Sequence, residues 1–271
     1  MDAMKLLQRM FGKSKPEPKT KSSAPKNKAV KGANTSTPAP EPLQPPAPEI
    51  DYNTQQLIQT LEARKAIDPL ILVKACGTEV LNRLILAMRD KRGVQSESML
   101  TALGALGGFA CQMAARGKGA PIEVHTVEGK TYHFGPAINK PLAETPTSIL
   151  ALAKAAANAM GVVEMPDVHD IFKNAIDTMG TNRFGIPRLP DKNRPRDLPE
   201  NYARALWPVL IPTIRLFCKD PAEWPIVFGY AIQQVMKESE KVLNPALAVK
   251  IVMEAAVPTS KLDPSPDMLN A

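Results

Sequence analysis

Aromatic residues are scarce. Phe, Tyr and Trp make up 5% of the 271 residues. A surface that stacks successive bases of a single strand needs more exposed rings than this chain supplies, and its core has to come from Leu, Ile, Val, Ala and Met. Cysteine is scarcer still. Cys76, Cys111 and Cys218 are odd in number and far apart, with no Cys-x-x-Cys pair and no Cys/His spacing of a zinc site. Cys76 and Cys111 fall in apolar helical patterns, as small buried hydrophobes do, and Cys218 closes a helix. A framework without disulfides fits a reducing compartment.

The catalytic signatures are missing too. There is no Walker A loop, no Gly-x-Gly-x-x-Gly after a strand, no Gly-x-Ser-x-Gly and no His-Glu-x-x-His. The reading therefore leans away from an enzyme, and no cofactor is expected. No secretory signal is expected, because the short apolar start runs into lysines and prolines. The uncharged stretch Met99–Ala115 lies at or below the lower limit for a membrane span, roughly 17–25 residues. Rich in Gly and Ala, it reads as a buried core helix. The expected location is cytoplasmic, peripheral to a membrane if the N-terminus engages one.

Charge, in contrast, is abundant and unevenly placed. The net charge of +7 is carried entirely by residues 1–31, where nine basic groups face only Asp2 and Glu17. The remainder is formally neutral, so the pI of about 9.3 describes a tail and not a domain. Met4, Leu7, Met10 and Phe11 recur at helical spacing, and Lys13 and Lys15 open a lysine run. A short amphipathic start followed by lysines is suited to tethering at an anionic membrane surface or in a partner's groove. Lysines without interleaved aromatics give no specific nucleic-acid recognition. Residues 12–50, rich in Lys, Pro, Ala and Ser/Thr, cannot bury enough surface to offset their ordering entropy and read as a disordered linker.

The remainder reads as one mainly α-helical domain, residues 51–258, with about seven helices, followed by a flexible end at 259–271. Helix starts are marked by Asp68-Pro69, Thr145-Pro146, Pro166-Asp167, Asp220-Pro221-x-Glu223 and Asn244-Pro245. A helix over 199–217 holds Pro208 and Pro212, which predicts a kink or a split. Gly104, Gly107 and Gly108 lie inside a helix, where each costs about 1 kcal/mol. The expected compensation is close approach of another helix backbone. Trp207 and Trp224 read as core anchors, and His169 as a surface residue.

One β-hairpin is expected at 121–135. A three-residue loop, Val127-Glu128-Gly129, would pair Ile122 with Phe134 and Val124 with Tyr132, collecting the apolar residues on one face. Glu123, His125 and His133 would then share the other face as weak candidates for a metal site. A two-residue loop would separate the histidines. The second candidate is the long loop 180–199, in which Arg183, Arg188, Lys192, Arg194 and Arg196 are stiffened by prolines. Loops of this length in a compact domain are commonly functional, and guanidinium groups suit a carboxylate or phosphate. The leading expectation is a non-enzymatic interaction protein tethered through its basic tail to an anionic surface or a protein partner. The alternative is an enzyme or small-anion binder that uses the basic loop.

Overall fold

The computed structural model describes residues 52–91 and 93–270. The tail expectations, Met4 to Lys15 included, lie outside the described residues. In chain order the helices are α1 (Tyr52–Arg64), α2 (Ile71–Met88) and α3 (Ser96–Gly117). A hairpin of β1 (Glu123–Val127) and β2 (Lys130–Phe134) follows. The short α4 (Pro136–Asn139) runs into a wide π turn at Lys140–Glu144. Then come α5 (Ile149–Ala159), α6 (Val168–Asp177), α7 (Pro199–Phe217), α8 (Trp224–Ser239), α9 (Pro245–Thr259) and α10 (Pro266–Asn270). The fold is mainly α with one antiparallel hairpin, as the sequence implies.

Local chemistry sets most helix starts. The Asp167 carboxylate accepts from the Asp170 amide at 3.2 Å, and Asn244 Oδ1 accepts from the amides of Ala246 and Leu247 at 2.9 and 3.1 Å. Asp220 likewise accepts from the Ala222 amide at the turn leading into α8, whereas Asp68 accepts from the Leu70 amide in the turn before α2, which starts at Ile71 without a side-chain cap. The bonds of Asp167, Asn244 and Asp220 satisfy N–H groups that a helix start leaves without partners. α5 starts later than Thr145-Pro146 suggests, because Ser148 provides the cap by accepting from Ala151 N.

α3 is buried from Ser98 to Ala115. Among the described residues it is the one helix long and apolar enough to cross a membrane, yet its apolar stretch lies wholly inside the domain. α9 crosses it. A Cβ at Gly104 would sit 2.5 Å from the carbonyl oxygen of Val252, and one at Gly108 would collide with the Ala256 carbonyl and Thr259 Oγ1. The interior glycines are thus explained by backbone contact, with Gly107 making room for Ile149 and Phe228. Around this crossing, Trp207 of α7 packs edge-on to Phe109 at 4.9 Å.

Two sequence expectations change here. α7 runs unbroken through Pro208 and Pro212, so the expected split does not occur. The two prolines stand four residues apart on the stripe turned away from the buried face of Ala203, Leu206, Trp207, Leu210, Ile211, Ile214 and Phe217. Burial of that face offsets the lost hydrogen bonds. The C-terminal segment is also structured: Met268 is buried, its carbonyl accepts from Trp207 Nε1 at 3.1 Å, and the Leu262 carbonyl accepts from Gln112 Nε2 at 2.8 Å.

Candidate binding cleft

The basic loop is bound down along its length. Arg188 reaches Glu254 of α9 at 2.9 Å and Asp170 of α6 at 2.8 Å. Arg194 pairs with Asp191 at 2.8 Å and Arg196 with Asp90 at 2.9 Å. Side chains at the start of α3 fasten the rest: Gln95 donates to the Arg194 carbonyl, Ser98 accepts from the Arg196 amide, and Glu97 accepts from Asn193. Arg183 and Lys192 are exposed. None of the five cations lines either of the two cavities described below.

The hairpin takes the other register. Glu123 pairs with Phe134, Val124 with His133 and His125 with Tyr132. Glu128 and Gly129, at φ 50° and 73°, form a two-residue turn with both central residues left-handed. The expected register rested on burying one apolar face, but protein covers both faces of β2. Tyr132 packs on Phe184 at 4.8 Å, and its hydroxyl accepts from the Gly180 amide. His133, on the opposite face, lies 3.5 Å from an Arg116 nitrogen and 3.4 Å from Asp263. Glu123 and His125 approach each other at 3.5 Å near the exposed strand, and His133 points away from them. The proposed metal set is therefore dispersed, and no group of three His, Cys, Asp or Glu side chains among the described residues could hold a metal ion.

A different concavity gathers cations. The C-terminal ends of α3 and α7, the start of α8 and α10 border an open cleft of about 620 Å³ lined by Met113, Arg116, Gly117, Arg215, Lys219, Pro221, Trp224 and Leu269. Its size falls in the range of ligand pockets. Among the described residues its lining holds three cations and no Asp or Glu side chain. Gly117 is required for the shape, because a Cβ there would lie 2.7 Å from the Pro221 ring. Trp224 forms a fixed floor. Its indole N–H donates to the Cys218 carbonyl at 2.9 Å, and Trp207 abuts it at 6.0 Å. The Arg215 guanidinium lies over the Trp224 ring, 5.8 Å from its centre.

Arg116 is the most enclosed of the three cations. Burial pulls its guanidinium below the ordinary value, and Asp263 opposes that effect. Its Nε–H is buried without an acceptor among the described residues, a state that costs energy until an anion or a water supplies one. The contact with Arg116 also constrains His133. A guanidinium can only donate, so in this contact Nδ1 stands as the acceptor while Nε2 faces Asp263. Burial first, then Arg116, pulls the His133 pKa down.

Sequence reasoning missed this cleft. Its cations are spread over more than a hundred positions, and each stands at or just past a helix C-terminus, where a basic residue already has the task of offsetting the helix dipole. The one available signal was Trp224 beside the basic residues Arg215 and Lys219. Searches with family models, against curated proteins and against solved structures each found no match for this chain.

Proposed function

We propose that the chain is a non-enzymatic interaction protein whose helical domain seats an acidic segment of a protein partner in the Arg116–Arg215–Lys219 cleft. The observation that carries this reading is the lining itself: among the described residues, Arg116, Arg215 and Lys219 stand around an apolar floor of Met113, Pro221 and Trp224. Such a cleft favours a carboxylate flanked by an apolar side chain, with the charge held by guanidinium donors and the apolar group laid on the floor. The nine basic groups of residues 1–31 add long-range attraction to the same acidic partner, raising the encounter rate. The alternative of a small-anion binder built on loop 180–199 loses support, because Arg188, Arg194 and Arg196 are already engaged by carboxylates.

The test is equilibrium binding by the full-length chain of a short Glu/Leu peptide and of its Gln/Leu counterpart, with phosphatidylserine vesicles as a third probe. The acidic peptide is expected to bind and its neutral counterpart not. Arg215→Gln with Lys219→Gln should weaken binding at least tenfold. Replacing the tail lysines with glutamine should mainly reduce the association rate and its salt dependence. Equal binding of both peptides, or vesicle binding that survives the cleft substitutions while the acidic peptide fails, would contradict the proposal.

A further inference from the structure

A second cavity, sharing no lining residue with the first, lies beside α9 and the hairpin. Lys261 follows the end of that helix, and its carbonyl accepts from the His133 amide of β2 at 3.0 Å. This bond fixes the backbone so that the side chain runs under the hairpin. Only 4% of Lys261 is exposed. Its ammonium nitrogen meets one amide oxygen, Asn139 Oδ1 at 2.9 Å, and one ring face, Phe134, at 5.1 Å. No carboxylate forms an ion pair with it among the described residues. A buried lysine without a counter-charge is costly and favours its neutral form. Burial does push Lys261 down to about 8, and the one titratable group acting on it is the Cys111 thiol of α3, itself kept neutral by burial.

Lys261 and Asn139 are the polar residues lining a cavity of about 80 Å³ whose other walls are apolar, among them Phe172, Ala175 and Met179 on or just past α6 and Phe184 of the long loop. That volume is about the share of three liquid waters, enough for a short acyl chain. We infer that this pocket is a reactive-amine site, in which Lys261 captures a small apolar carbonyl compound as an imine. The neutral Nζ attacks the carbonyl carbon, and a C–N bond forms as the C=O π pair moves to oxygen. Both hydrogens of the amine leave with that oxygen as one water, giving C=N with no net oxidation or reduction. Asn139 orients the amine, and the apolar walls hold the alkyl chain and limit the water that would reverse the step.

Reductive trapping tests this on the full-length protein. The probe is butanal at pH 7.5 with cyanoborohydride, which reduces only the imine already formed, and the adducts are mapped by peptide mass spectrometry. All other lysines of the chain serve as internal reference. Lys261 is expected to be labelled at least tenfold faster than the exposed lysines, because far more of it is unprotonated at this pH. Ala175→Leu, which narrows the cavity, should slow Lys261 at least fivefold and leave the other lysines unchanged. In denaturant Lys261 should fall to the common rate. Labelling of Lys261 at or below the rate of exposed lysines in the native protein would overturn the inference, as would a rate that Ala175→Leu leaves untouched.

Discussion

Arg188 holds Glu254 by three hydrogen-bonding contacts: its Nε and Nη2 reach Oε1 at 3.0 and 2.9 Å, and its backbone amide reaches Oε2 at 3.3 Å. Glu254 stands in α9 with 3% of its side chain exposed, so this loop residue neutralises a charge at the centre of the fold. Removing one partner of a buried pair leaves the other without compensation. Arg188→Met should therefore cost about 3 kcal/mol in a denaturant titration. Adding Glu254→Met should recover most of that loss. If the double variant is as unstable as the sum of the two single variants, the pairing is not what stabilises the loop.

The α3–α9 crossing gives a sharper contrast. Gly108→Ala would place a methyl group against the Ala256 carbonyl, whereas a Cβ at Gly161 meets open space and only the positive φ of 82° is strained. Gly108→Ala should cost about 3 kcal/mol or more, and Gly161→Ala about 1 kcal/mol. Thermal unfolding of the two variants side by side decides whether backbone contact sets the crossing.

Lys261 links stability to alkaline pH. Its pKa falls from an ordinary 10.5 to about 8 on folding. Between these values the unfolded chain binds a proton that the folded chain does not, so this contribution to stability rises with pH, by roughly 3 kcal/mol in all. Below pH 8 it is absent. The stability of the wild type relative to Lys261→Met should accordingly increase from pH 7.5 to 10. A difference that does not change with pH would mean that Lys261 titrates normally.

The three thiols should be silent in the native state. Cys76, Cys111 and Cys218 are each fully buried and unbridged. A hydrogen bond to Cys218 and burial push the Cys76 thiol up, and burial does the same at Cys111. Only a thiolate attacks a disulfide reagent. Ellman's reagent should release no colour from the native protein and three equivalents after unfolding. Fast reaction of any one thiol before unfolding would show an opening that this fold does not contain.

What the sequence reveals follows the range of each interaction. Helix starts at Asp167, Asp220 and Asn244 are legible because the capping side chain and its amide lie two or three residues apart. The glycines of α3 signal a close neighbour without naming α9. The hairpin is legible, but its register is not. It depends on Phe184, Gly180, Arg116 and Asp263 covering both faces of β2, and no alternation within the two strands encodes that. Likewise, Arg188, Arg194 and Arg196, which crowd one loop in sequence, are drawn to separate carboxylates. The cations that meet in space, Arg116, Arg215 and Lys219, come from different helix ends.

The central claim concerns the cleft, and its two tryptophans allow a direct reading. Trp224 lines it, whereas Trp207 is wholly buried and does not. The measurement is a titration of the full-length protein with the Glu/Leu peptide, followed by the two indole N–H resonances. The account predicts a saturable shift of the Trp224 indole, little movement of the Trp207 indole, and loss of the effect in Arg215→Gln/Lys219→Gln. Binding that leaves the Trp224 indole unmoved, or a shift that survives both substitutions, would contradict it.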